Sequence, residues 1–290
     1  MKKAKPIIAM ILIFVIALIL SLTIGLALTG FAHGAKDLSL EFYMAHPWPG
    51  FVVAMLVEGL FMWFGYIWWK KKFAKTGDDL PAKFAVRESL IGFAIGAGAV
   101  AVGIFILWLM GVYQPRGLSL NTGLLVGFAA GFGAAVTEEI FFRGFILCGL
   151  VNRNARKKHG VLSAIVLTSI IFGLCHFPND LDWLEVVSVI LSAGLLLNAV
   201  WFLTRRLWIN IGAHFGWNFA VAGIFGLTIS GVASDGGLIR ADLRGSELLT
   251  GGVSGVETSV VLMIVATVAA LIIFAICWKK GLLKSKEDKS

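Results

Sequence analysis

Stretches of about 20 apolar residues recur along this chain, and their recurrence constrains its fold more than any other feature. A helix needs ~20 largely apolar residues to cross a bilayer. About eight such stretches run at approximately 7–32, 49–69, 89–113, 121–150, 160–177, 184–203, 208–230 and 257–278. In a chain of 290 residues, that leaves short connections and little else. With 58% hydrophobic and 14% charged residues, there is more apolar surface than a water-soluble fold can bury. The mean hydropathy of +0.88 says the same. The expected fold is all-α, a polytopic membrane helix bundle of about eight transmembrane helices, with membrane lipids as its first partners. Lys2, Lys3 and Lys5 precede the first stretch. That stretch exceeds the ~7–15 apolar residues of a signal peptide, so it reads as a retained helix.

The net charge of +8 raises nucleic acid as a partner, and the placement of the charge argues against it. Basic residues alternate from side to side of an eight-helix arrangement. Lys2, Lys3, Lys5, Lys70, Lys71, Lys72, Lys75, Lys83, Arg87, Arg153, Arg156, Lys157, Lys158, Arg205, Arg206, Lys279, Lys280, Lys284, Lys286 and Lys289 share one side. Lys36, Arg116, Arg240 and Arg244 fall on the other. Positive loops stay in the cytoplasm, which puts both termini there and the protein in the cell membrane. Trp48, Trp63, Trp68, Trp69, Trp183, Trp208 and Trp278 sit near stretch ends, as an interfacial belt requires. No nucleic-acid role is needed.

Cys148, Cys175 and Cys277 lie in apolar stretches without CxxC spacing. They read as buried thiols, with neither a disulfide framework nor a thiolate metal site. Small residues at intervals of four mark close helix packing in lipid. Gly92 and Gly96 have this spacing, as do Gly123, Gly127 and Gly131. Gly127, Gly131, Ala134 and Glu138 share one helix face. The face that packs against a neighbour therefore also carries a carboxylate.

Ionisable groups inside spanning helices are costly, and they usually face the bundle interior and mark function. Three clusters stand out. In Glu138-Glu139-Ile140-Phe141-Phe142-Arg143, Glu139 and Arg143 are four apart and can pair. Glu138 is turned about 100° away and is left for chemistry such as water activation. The plainer reading of this cluster is a structural ion-pair network with Arg143 snorkelling to the interface. The second cluster, Phe172-Gly173-Leu174-Cys175-His176, ends a stretch before the helix-stopping Pro178. The third, His214-Phe215-Gly216-Trp217-Asn218, puts a histidine and an amide on one face. Two donors so placed suit an oxyanion hole. The plainer alternative is a bridge between two helices. Together the three clusters hold a base, an orienting group and oxyanion donors.

At these residues the chain resembles the CPBP intramembrane protease family, which includes the type II CAAX prenyl endopeptidases and the Abi-type bacterial proteins. That family carries EExxxR, FxxxH and HxxxN motifs in this order. Here they read Glu138-Glu139-xxx-Arg143, Phe172-xxx-His176 and His214-xxx-Asn218. The resemblance covers approximately residues 120–230. It implies an all-helical fold with the site inside the bundle and hydrolysis of a peptide bond, classically removal of three residues after a prenylated cysteine. Carried over, Glu138 and His176 activate water, His214 and Asn218 stabilise the oxyanion, and Arg143 holds Glu139. The substrate implied is a peptide or a lipidated protein. Members are often called metalloproteases. The chain has no HExxH helix, yet Glu138, His176 and His214 could form a two-histidine, one-carboxylate zinc site. A metal-free route fits the same residues and is favoured, and no other cofactor is called for.

The chain divides into N-terminal helices at 1–118, a catalytic core at 119–230, and an outer loop, last helix and basic tail at 231–290. Segment 231–256 is Gly-rich and reads as a flexible loop. Glu58 and Asn198 are two further polar residues within spans that could line a cavity. His214 lies ~9 Å and His176 ~24 Å from the cytoplasmic starts of their helices, counting residues. Bringing them to one depth requires the His176 helix to begin well outside the lipid, or the His214 helix to tilt or break. Two other classes use intramembrane Glu and His. One is a proton-coupled transporter, against which the chain shows no internal repeat. The other is a non-catalytic bacteriocin-immunity or scaffold protein.

Overall fold

A computed structural model describes residues 4–34, 39–73, 79–154, 159–176, 183–233 and 236–283. Lys2, Lys3, Lys36, Lys75, Arg156, Lys157, Lys158, Pro178, Lys284, Lys286 and Lys289, used above, lie outside them, as does the side chain of Trp183.

The apolar stretches become eight long helical runs. They are α1 (Lys5–His33), α3 (Gly50–Phe73) and α4 (Ala85–Leu109). Next come α5 (Gly123–Glu138) with α6 (Cys148–Asn154), and α7 (Gly160–Leu174). Then follow α8 (Trp183–Val189) with α9 (Leu195–Thr204), α10 (Leu207–Asn218) and α12 (Val260–Lys279). Short α2 (Leu40–Ala45) and α11 (Glu247–Thr250) lie between them. Among the described residues, six of these runs are long and apolar enough to cross a membrane, and the protein is an integral membrane helix bundle. The other two runs, α7 with 15 residues and the α10 run, are not among these six.

Two expectations are corrected. Segment 231–256 is not an unstructured loop. Its β2 (Ile239–Leu243) pairs antiparallel with β1 (Tyr113–Leu118), with a bulge between Pro115 and Gly117. Arg116 Nε donates to Asp242 across the ribbon at 2.8 Å. Of the thiols, only Cys277 is buried, Cys175 being exposed and Cys148 half-buried.

Within their apolar windows, 17% of α1 and 28% of α12 are buried, against 67% for the α5–α6 and α8–α9 runs. The α5–α6 run, which carries Glu138, Glu139 and Arg143, and the α8–α9 run are therefore more central than α1 and α12. Backbone-to-backbone packing sets the position of α10. A Cβ on Gly92 would stand 2.0 Å from the Ile209 carbonyl, and one on Gly96 1.9 Å from that of Ala213. Reciprocally, a Cβ on Gly212 would meet the Ser89 carbonyl at 2.2 Å and one on Gly216 the Phe93 carbonyl at 2.5 Å. Small residues on both helices thus let α4 and α10 touch. Gly127 of α5 approaches Gly223 in the same way, its Cβ 2.4 Å from that nitrogen. The face carrying Glu138 is thereby turned to the α10 run.

Loops at the end with the basic residues are tied to the helices. Arg206 Nε donates to Glu88 at 2.8 Å, Arg205 Nη2 to the Leu282 carbonyl at 2.9 Å, and Lys70 pairs with Asp79.

Candidate active site

Three of the helical runs leave α geometry, and all three do so beside the polar clusters. π-Helix occupies Glu139–Leu147 after α5, Ile190–Gly194 between α8 and α9, and Phe219–Ile224 after α10. A π segment shifts the helix face and leaves a backbone carbonyl without its usual partner. Arg143 Nη2 donates to two carbonyls of the second segment, Ala193 and Gly194, each at a long 3.4 Å. His176 stands in the turn beyond the end of α7. α7 is regular helix from Gly160 to Leu174 and α10 is regular through His214, so none of the three π segments lies between either histidine and the N-terminal start of its helix.

Glu139 and Arg143 form a polar layer, both fully buried. Arg143 Nη1 donates to Glu139 Oε1 at 2.8 Å, and His214 Nδ1 lies 2.9 Å from the same oxygen. Asn210 Nδ2 donates to Glu139 Oε2 at 3.1 Å and to the Leu197 carbonyl at 2.7 Å. Asn198 accepts from Arg143 Nε at 3.2 Å and donates to Ser169 Oγ at 3.0 Å and the Ile165 carbonyl at 3.1 Å. Phe172 stacks under the guanidinium at 4.5 Å and beside the His176 ring at 4.8 Å. A buried ion pair holds when its remaining donors and acceptors are satisfied, and here nearly all are.

Next to this layer lies a cavity of about 50 Å³, lined by Glu138, His176, His214, Asn218, Ser230 and Glu257 among others. At ~10–15 Å³ per water, it has room for a few molecules. Four of the six residues singled out from sequence, Glu138, His176, His214 and Asn218, meet here. Glu139 and Arg143 stand behind the wall. Glu58 does not line the cavity, although it lies within electrostatic reach of Glu138. Asn198 does not line it either, and instead anchors Arg143.

Hydrogen-bond partners assign the two imidazoles. His176 Nδ1 lies 2.8 Å from the Phe172 carbonyl, which can only accept, so Nδ1 carries the hydrogen. His214 Nδ1 faces a carboxylate and donates likewise. Each ring therefore has Nε2 left for the cavity, an acceptor when the ring is neutral and a donor when it is protonated. Glu138 Oε2 is buried without a hydrogen-bond partner among the described residues. Buried polar atoms are rarely left so in the absence of a ligand or water.

Sequence reasoning missed Asn210, Ser230 and Glu257. Glu257 Oε1 accepts from Ser230 N at 2.9 Å and Ser230 Oγ at 2.7 Å. Burial pushes the Glu257 carboxyl above its ordinary range, while the Ser230 bonds and the imidazoles of His176 and His214 pull it back. No spacing linked Glu257 to the motifs, since it lies 39 residues beyond Asn218 (257 − 218).

The zinc site considered from sequence was tested on this geometry. Among the described residues, no group of three His, Cys, Asp or Glu side chains is arranged to hold a metal ion. Glu138, His176 and His214 share a cavity wall without forming such a set.

Residues 120–220 match the family model described as Rce1-like, Type II CAAX prenyl endopeptidase Rce1-like. This is the family suggested by the three motifs. No curated protein and no solved structure matches the chain.

Proposed function

We propose, from the Rce1-like match of residues 120–220, that the protein is an intramembrane endopeptidase. It hydrolyses a peptide bond near the membrane with water activated by Glu138. The observation that carries this reading is the unpartnered Glu138 Oε2 beside a cavity that also holds two imidazoles and an amide.

Each group then has a task that its partners allow. Water lies between Glu138 and His176. Glu138 takes one proton while His176 Nε2 accepts a hydrogen bond from the other hydrogen, which orients the oxygen lone pair. The oxygen bonds to the scissile carbonyl carbon, and the carbonyl electrons move to its oxygen. Asn218 Nδ2 and His214 Nε2–H hold that oxyanion. His214 donates from Nε2 only as the imidazolium, because Nδ1 is committed to Glu139. Collapse breaks the C–N bond, and Glu138 returns its proton to the leaving amine. Glu139, held by Arg143 and Asn210, fixes the imidazole ring.

The substrate is a peptide or lipidated protein that reaches the site from the membrane, with a prenylated C-terminal segment as the family-level expectation. The basic loops orient both termini to the cytoplasm.

The test is cleavage by proteoliposomes of a panel of farnesylated CAAX peptides and unmodified membrane peptides. Glu138→Gln should lower kcat by about 10³-fold, in the range of a lost general base, with the fold retained. Undiminished cleavage by this variant removes Glu138 from the mechanism. Flux of a solute without cleavage would favour the transporter reading.

A further inference from the structure

One wall of the cavity comes from beyond residues 120–220. Ile229 and Val232 exchange both backbone hydrogen bonds, at 3.2 and 2.8 Å, across Ser230 and Gly231. Both central residues have positive φ, 46° and 76°. A two-residue turn of this kind favours Asn or Gly at its first position, and serine is strained there. Ser230 directs both its backbone N–H and its hydroxyl at Glu257 Oε1.

Glu257 is held from its other side too. It sits in a 3-10 turn, Val256–Thr258. Its carbonyl accepts from Ser188 Oγ at 3.2 Å. Thr258 Oγ1 donates to the Gly251 carbonyl at 2.8 Å and contacts that of Gly255 at 3.0 Å. A Cβ on Gly255 would stand 2.2 Å from the Thr228 carbonyl. Strain at Ser230, paired with so many fixed contacts, marks a carboxylate whose position is over-determined.

The charges around the cavity give that carboxylate a role. Glu138, His176, His214 and Asn218 share the cavity lining with it, with Glu139 and Arg143 behind. Arg143 neutralises Glu139, so the pair supplies His214 with orientation and no net negative charge. His176 Nδ1 rests on a neutral carbonyl. Glu138 has to accept a proton from water and cannot also serve as the standing counter-charge. Glu257 is the other carboxylate lining the cavity, and both imidazoles act on it electrostatically.

We propose that Glu257 is a positioning residue of the same site. Held by Ser230, its carboxylate is the counter-charge that lets an imidazole act as a cation while Glu138 remains free to act as the base. This rests on the peptidase reading above.

The experiment compares wild type, Glu257→Gln, Glu257→Asp, Ser230→Ala and Glu138→Gln in the proteoliposome cleavage assay, with thermal unfolding of each. Glu257→Gln keeps the size and an oxygen for the Ser230 bonds and removes the charge. Its kcat should fall on the order of tenfold to a hundredfold, with KM and unfolding temperature nearly unchanged. The alkaline limb of its kcat/KM profile should move to lower pH, because the cationic form loses its counter-charge. Ser230→Ala should show the same change more weakly, and Glu257→Asp should restore part of the rate. A Glu257→Gln enzyme with wild-type kcat and pH profile overturns the proposal. So does a loss that tracks unfolding temperature with an unmoved profile, which would mean a structural role. If wild type cleaves and Glu138→Gln does not, these outcomes judge Glu257 alone. If wild type cleaves nothing in the panel, the peptidase reading fails and the inference falls with it.

Discussion

Glu138 and Glu139 are the same side chain one residue apart, and they live in opposite surroundings. Glu139 is fully buried and accepts from an arginine, a histidine and an asparagine. Glu138 lines a cavity and leaves one buried oxygen without a partner among the described residues. A helix turn of ~100° separates them, enough to send one into a solid polar layer and the other into open space. The layer behind the wall supplies stability and orientation, and the cavity supplies chemistry. Substitutions in the two places should therefore fail in different ways.

The sharpest contrast is Arg143→Ala against Glu138→Gln. Removing Arg143 leaves the buried Glu139 without its guanidinium partner, which should cost about 3–5 kcal/mol. Glu138→Gln should leave stability within about 1 kcal/mol of wild type, while activity collapses. Reversible unfolding in detergent, read by tryptophan fluorescence, separates the two. A double variant, Glu139→Gln with Arg143→Met, should recover much of the lost stability, since both charges are gone. It should not recover cleavage, because His214 has lost the carboxylate that fixes its ring. Equal stability of Arg143→Ala and wild type would dissolve the distinction between the layers.

Asn210→Ala comes next. It removes a donor to Glu139 Oε2 and leaves the Leu197 carbonyl without that contact. The expected cost is about 1–3 kcal/mol, the range for orphaned buried polar groups. Because His214 remains on Glu139 Oε1, kcat should fall less than tenfold. A loss of activity as large as that of Glu138→Gln would place Asn210 with the cavity instead.

How much of this was legible in the sequence follows from the range of each signal. Apolar runs are local, so the helices and the inward position of the Glu139–Arg143 pair could be read. The Glu139–Arg143 pair lies four residues apart on one helix and could be read as well. The glycine repeats announced close packing, and Gly92 and Gly96 do pack on the α10 backbone. The π segments were hidden because they arise from how three helices fit together, and the depth mismatch between His176 and His214 concerned other stretches, which are regular helix. Asn210 reaches Glu139 across 71 residues, and Asn198 reaches Arg143 across 55. No spacing rule connects such pairs. The Gly-rich run 231–256 resembled a loop by composition, yet its β2 strand is fixed by pairing with β1 more than 100 residues earlier.

Ser169 gives the smallest and most discriminating test, because it touches neither glutamate. Its hydroxyl accepts from Asn198 Nδ2 at 3.0 Å, and Asn198 in turn accepts from Arg143 Nε. Ser169→Ala removes one acceptor from an amide that still donates to the Ile165 carbonyl. The cost should be about 1 kcal/mol, the net worth of one hydrogen bond. If the polar layer is a connected network, this loss should not add simply to that of Asn210→Ala, since both act on the same ion pair from opposite ends. A double-mutant cycle should then show a coupling of about 0.5 kcal/mol or more. Strict additivity would mean that Asn198 and Asn210 support Arg143 and Glu139 independently, and that the layer is two separate braces around one ion pair.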